Sequence, residues 1–161
     1  MKKGIIIFML TVILGSVLTA CSGKKETAIE PELSAKEMAD KMVEKVEQPA
    51  QVGLKADEVK TLYHLDPEKL EEYAIRIPMM NVKTNEIAIL KVKDAKDISD
   101  VESAVKQRAE DVKKQFETYL PDQYENAKNY KLIIKGKYVL LVISDKSDEL
   151  VKEYESFFAK K

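Results

Sequence analysis

Two stretches decide the fold: EIAILKVK at residues 86–93 and YVLLVIS at residues 138–144. Both are short, aliphatic and rich in β-branched residues, the composition of a strand. Working outward, each has a second strand before it and a helix after it. Tyr73, Ile75 and Ile77 alternate with Ala74 and Arg76 until Pro78, which gives the first strand of the earlier pair. Tyr130 to Lys135 gives the first strand of the later pair, closed by the tight turn Lys135-Gly136-Lys137. The helix expected after the first pair runs from about Asp97 to Leu120, carried by Ile98, Val101, Val105, Val112, Phe116 and Tyr119, and Pro121 blocks its continuation. The helix expected after the second runs from about Lys146 to Ala159, with Leu150, Val151, Tyr154, Phe157 and Phe158 on its apolar stripe.

A shift of 51 positions lays Ala88-Ile89-Leu90 on Val139-Leu140-Leu141, Asp94 on Asp145 and Asp97 on Asp148. The reading is a duplicated β-β-α unit. Its fold class is α+β: a four-stranded antiparallel sheet with helices packed on it and an extra N-terminal helix. Four strands at roughly 4.8 Å span about 19 Å, the width of two helices, so the two C-terminal helices are expected to share one face. The N-terminal helix opens at Ser34, with Glu37 completing a capping box, and keeps Ala35, Met38, Ala39, Met42, Val43 and Val46 on one stripe. Its place on the sheet is not set by the sequence. Ala56 to Leu65 reads as a weaker helix, and Asp66-Pro67 as an N-cap followed by proline at the first helical position.

The chain's start carries a different signal. Lys2 and Lys3 precede an apolar run from Ile5 to Leu14, then Gly15, Ser16 and the sequence Leu18-Thr19-Ala20-Cys21. Together these resemble a bacterial lipoprotein signal peptide and lipobox. The resemblance implies cleavage before Cys21 and a diacylglycerol anchor on its thiol, with palmitate or a similar chain on the new amino group. Two acyl chains anchor stably where one does not. The expected organisation is a signal peptide at 1–20, the lipidated cysteine and a flexible tether at 21–33, and one α+β domain at 34–161. The expected place is the extracytoplasmic face of the cell membrane, in the cell envelope.

Composition narrows the chemistry. The 27 basic and 28 acidic residues nearly cancel, and no basic stripe with interleaved aromatics argues for nucleic acid. Cys21 is the only cysteine and His64 the only histidine, so disulfides and a metal site built on those residues are excluded by count. The domain's glycines, Gly53 and Gly136, are too few for a phosphate-cradling loop, and no cofactor is expected. His64 reads as a helix-end residue. Asp94, Asp97 and Asp100 read as N-terminal helix carboxylates rather than a cation cluster, and Glu71-Glu72 as ordinary surface acids.

Two features remain as interaction surfaces. Lys91, Lys93, Lys131 and Lys135, with Ile87, Ile89, Ile133 and Arg76, are placed by alternation on the sheet face away from the helices, a mixed surface for an anionic wall polymer or a partner strand. Pro78-Met79-Met80-Asn81 interrupts the first hairpin where its repeat has only a tight turn. It is the candidate interaction segment, and at least one methionine is expected to be exposed. The alternative is that both methionines fill gaps under the N-terminal helix.

The stretches Asp66-Pro67, Pro78-Met79-Met80-Asn81 before Glu86-Ile87-Ala88, Leu120-Pro121-Asp122-Gln123-Tyr124, and Gly136-Lys137-Tyr138-Val139 leading to Ser144-Asp145 complete the picture. With them, the chain from about Ser34 onward resembles a family of Gram-positive bacterial lipoproteins catalogued as domain of unknown function 4358. The resemblance implies one domain outside the cytoplasm and assigns no catalytic or binding residue. The sequence therefore points to a non-catalytic binding module, held to the membrane by lipid and directed at an envelope protein or wall polymer. Two other classes stand beside it: a hydrolase using carboxylates alone, and a structural or inhibitory envelope lipoprotein.

Overall fold

The structure is a computed structural model, and it describes residues 30–159. The leader and Cys21 lie outside the described residues. The elements in chain order are α1 (Ala35–Lys45), β1 (Gln51–Gly53), α2 (Ala56–Tyr63), β2 (Leu70–Pro78), β3 (Glu86–Val92), α3 (Ile98–Phe116), α4 (Pro121–Lys128), β4 (Lys131–Lys135), β5 (Tyr138–Ile143) and α5 (Ser147–Ser156).

The strands form one antiparallel sheet in the order β1-β2-β3-β5-β4. The α+β class and both hairpins stand as expected, but the sheet has five strands, not four. The additional strand, β1, pairs Gln51 with Pro78, Val52 with Ile77 and Gly53 with Arg76. Three residues that include a glycine carry no period-two signal, so only the unpaired edge of β2 gives this segment its place.

The helix arrangement also differs. α3 packs Val101, Val105, Ala109, Val112 and Phe116 against Ala88, Leu90, Val92, Val139, Leu141 and Ile143. α5 instead lies on the opposite face, where Leu150, Tyr154 and Phe158 join Met38, Ala39 and Met42 of α1 over Ile87, Ile89, Leu140 and Val142. The hairpins align as the 51-residue shift implies, since Ala88 and Val139 share one core while Ile89 and Leu140 share the other. The helices that follow them depart to opposite sides, so the two units are not copies in space. The reason lies in the strands. Every residue of β3 and β5 is buried, and a central strand that is apolar on both faces needs cover on both.

That cover removes the open sheet face. Ile87 and Ile89 are fully buried beneath α1. Lys91 is buried against Tyr138 and bonded to Glu71 at 2.9 Å, while Lys131 pairs with Asp148 at 2.9 Å, Lys135 with Glu155 at 3.4 Å, and Arg76 with Asp40. Lys93 stands exposed beyond the strand. These residues close the α1–α5 layer over the sheet and present no shared surface.

Local signals explain the helix ends. Ser34 and Glu37 form the expected capping box, and Glu72 receives the Ala35 N–H at 3.0 Å, fixing the start of α1 to β2. A bulge between Leu70 and Glu72 sets Glu72 opposite Lys91 and leaves Glu71 within reach of the same lysine. The turn Gly136-Lys137 closes β4 to β5 with Gly136 at a φ of 57°, where a side chain would be strained. The helix expected to reach Leu120 stops at Phe116, and Pro121 instead occupies the first turn of α4, where a proline lacks nothing the helix needs.

Candidate polar cleft at one end of the sheet

β2 and β5 finish, and β3 begins, at the same end of the sheet. There the chain places Thr84-Asn85-Glu86 at the mouth of β3, Ser144-Asp145-Lys146 between β5 and α5, Asp122-Gln123 in the first turn of α4, and Glu47-Gln48-Pro49 after α1. Among the described residues seven polar side chains are buried, and six of them, Thr84, Asn85, Glu86, Gln123, Ser144 and Ser147, stand here. Burying polar atoms is costly unless they are bonded, so their pairing matters.

Most of them are paired with one another. The Asn85 amide donates to Gln48 Oε1 at 3.1 Å and to Ser144 Oγ at 3.3 Å, and Asp145 Oδ1 lies 3.5 Å away. The Ser144 hydroxyl reaches Gln48 Oε1 at 3.1 Å and accepts the Lys146 N–H at 3.0 Å. Gln123 Oε1 accepts the Thr84 N–H at 3.0 Å and the Thr84 hydroxyl at 3.2 Å, and its amide donates to Asp122 Oδ2 at 2.9 Å. That bond, helped by Lys83 nearby, holds the Asp122 carboxyl below the usual carboxylate range. Gln51 donates to the Asn85 carbonyl at 3.0 Å, and its own Oε1 is buried without a partner among the described residues.

Directly behind the network is a buried ion pair. Arg108 of α3 binds Glu86 through Nε at 3.0 Å and Nη2 at 2.7 Å, and the Tyr63 hydroxyl of α2 donates to the same carboxylate. Burial and the Glu86 charge push the Tyr63 hydroxyl well above its ordinary value. Burial opposes the Arg108 charge, yet its bonds to Glu86 still raise it. The group clamps α2 and α3 to the first residue of β3, so Glu86 faces the α3 core while Asn85, also buried, turns to the opposite side toward Gln48 and Ser144.

In front of the network opens a cleft of about 500 Å³, within the range of ligand pockets. Glu47, Gln48, Lys83, Asn85, Asp122, Gln123, Asn126, Asp145 and Lys146 supply its polar lining, and Pro49 the remainder. Among the described residues, Lys83, Lys146 and Glu47 make no ion pair, although most lysines elsewhere do. Lys83, Lys146, Glu47 and Asn126, from four segments of one concavity, can reach a polar ligand from several directions.

The candidate segment Pro78-Met79-Met80-Asn81 lies beside this cleft rather than in it. The Met79 N–H donates to the Ala50 carbonyl at 2.9 Å, which sets the segment against the strand that follows Pro49. Met79 and Met80 are 67% and 54% exposed, so neither fills a gap under α1, and with Val52 they form an apolar corner next to the polar opening. His64 ends α2 in the left-handed region with its side chain exposed. Asp94 caps the turn before α3 by accepting the Lys96 N–H, whereas Asp97 and Asp100 hold Lys69 instead of capping. Glu71 and Glu72 are taken by Lys91 and the start of α1. Among the described residues no group of three or more such ligands is placed to hold a metal ion.

The cleft residues themselves had a partial sequence signal. Glu86, Asp122-Gln123 and Ser144-Asp145 all sit in the stretches that carry the family resemblance, and the structure brings these distant segments to one end of the sheet. Gln48, Thr84 and Asn85 had no signal beyond a polar interruption before an apolar strand.

Taken together, the fold and the cleft define an α+β domain with a sheet covered on both faces and a polar recess at one end. The family described as Domain of unknown function (DUF4358) matches residues 38–144, and the chain belongs to it. No curated protein and no solved structure matches the chain.

Proposed function

We propose that the chain is a lipid-anchored, extracytoplasmic bacterial lipoprotein of Gram-positive type, whose domain binds a ligand in the polar cleft without performing chemistry on it. One observation carries the reading: a concave opening backed by a hydrogen-bonded network brings together Lys83, Lys146 and Glu47, which make no ion pair among the described residues. Groups that neither pair nor pack contribute little to the fold, and they are available to a ligand.

Two further features agree. The chain arrives at the pole opposite the cleft: Glu30 lies 3.4 Å from Lys91 at the far end of β3, and α1 then crosses the sheet to bring Gln48 to the cleft. A lipid on Cys21, joined through residues 22–29 of at most about 3 nm, would lead into the domain at the pole opposite the cleft. The buried carboxylate nearest the cleft, Glu86, is occupied by Arg108 and Tyr63 and so is not free to serve as an acid–base group, which favours the binding reading over a carboxylate-only hydrolase.

The test uses intact cells and a photoreactive residue placed at Asn126 in the cleft wall or at exposed Ser103 on α3. The reading expects a defined adduct from position 126 and none from 103. Equal adducts from both positions would contradict it. The anchor is tested separately by Cys21→Ala, which should abolish fatty-acid labelling; equal labelling of the variant would sink that part.

A further inference from the structure

The composition of the cleft says what kind of ligand it fits. Its cations, Lys83 and Lys146, come from different walls: one precedes β3, the other precedes α5. Its anions, Glu47, Asp122 and Asp145, are equally spread, from the segment after α1, from α4 and from the end of β5. A purely anionic ligand would meet three carboxylates, and a purely cationic one would meet two ammonium groups at close quarters. Only a molecule that carries both signs satisfies both sets.

Between the charges lie amides. Gln48, Asn85 and Gln123 are largely spent on the network behind, but Asn126 keeps a donor and an acceptor, the complement of a peptide group's own C=O and N–H. No aromatic side chain lines the cleft, so a sugar ring would find no stacking platform there. The apolar corner of Val52, Met79 and Met80 begins beside Pro49, where the side chain of a longer ligand would emerge.

We infer that the cleft takes a small zwitterion of the peptide class: an amino acid or short peptide with a free amine and a free carboxylate, the carboxylate toward Lys83 and Lys146 and the amine toward Glu47, Asp122 and Asp145. This rests on the cleft being the ligand site. The fold does not depend on Lys146 or Glu47, since neither makes an ion pair among the described residues, so both can be neutralised without disturbing it.

The experiment follows the side-chain amide signals of Gln48 and Asn126 by nitrogen-15 NMR in the full chain held in detergent micelles. The probes are tri-alanine with free ends, free alanine, acetylated and amidated tri-alanine, a neutral N-acetylglucosamine trisaccharide, and inorganic phosphate. Tri-alanine or alanine should shift both amides. Capping both ends, or introducing Lys146→Gln or Glu47→Gln, should weaken the effect about ten- to hundredfold, the value of one charge-assisted bond. Equal shifts from capped and free peptide, or full binding by both variants, would overturn the inference. Shifts from the trisaccharide or phosphate alone would overturn the ligand class while leaving the cleft as the site. Silence from every probe would overturn the inference as well, and cross-linking from position 126 then judges the cleft independently.

Discussion

The two ends of the sheet treat charge in opposite ways. At the end where the chain arrives, most lysines have a partner: Lys69 holds Asp100 at 2.6 Å, Lys91 holds Glu71 at 2.9 Å, Lys96 holds Asp94 at 3.0 Å and Lys137 reaches the Lys93 carbonyl, while Lys93 itself stands exposed. At the other end, neutral amides and hydroxyls bond to one another behind a cleft whose lysines are unpaired. One end is organised to finish the fold, and the other to leave groups exposed on a rigid backing. A charged residue's role is thus read from whether its partner is already present, not from its abundance along the chain.

The largest expected effect tests that rigid backing. Glu86→Ala leaves Arg108 buried without its counter-charge and should cost about 3–5 kcal/mol in a denaturant titration. A small loss would mean that water reaches Arg108 and that the clamp is not closed.

Next come the two cores. Leu141→Ala on the α3 face and Leu140→Ala on the α1–α5 face should each cost about 2–5 kcal/mol, because both side chains are fully buried. A near-neutral Leu140→Ala would restore an open sheet face and remove α5 from its place.

Lys91→Ala should cost less than either core change but more than the few tenths expected of an exposed lysine, since Lys91 is buried against Tyr138 and bonded to Glu71. Its pH dependence has a definite sign. The bond to Lys91 holds the Glu71 carboxyl below its ordinary value, so this contribution is present above the unfolded carboxylate pKa and is lost as pH falls through the lower folded one. The same bond raises Lys91, whose share persists through neutral pH and fades only in strong alkali. The gap between wild type and Lys91→Ala should therefore narrow in acid, and a gap that widened there would reverse the assignment.

The smallest effect is expected at the apolar corner. Replacing Met79 and Met80 together with serine should move the stability by no more than about 0.5 kcal/mol. A substantial drop would place them in a core after all.

How much of this was legible depended on whether the signal was local. β3 and β5 announced themselves through aliphatic runs, and α1 through Ser34 and Glu37, because those cues lie within a few residues. β1 and α4 were missed for the same reason in reverse: three residues with a glycine show no period, and Pro121 marks a helix start as readily as a stop. The alternation that assigned Ile87 and Ile89 to an open face ignored that Ala88 and Leu90 beside them were equally apolar. Unbroken apolarity was the sign of two-sided burial. The cleft was the least legible part, since Gln48, Asn85 and Ser144 meet across 37 and 59 positions of chain. Nothing near Glu86 foretells Arg108 either, 22 residues on and on another element.

The contrast between the two ends is tested most directly by equilibrium unfolding of the double variant Lys83→Gln, Lys146→Gln. If the cleft lysines serve a ligand and not the fold, its stability should match wild type within about 0.5 kcal/mol, the range of surface changes. A loss of more than about 1 kcal/mol, comparable to that of Lys91→Ala, would show that these lysines are already spent on the structure and would contradict the account.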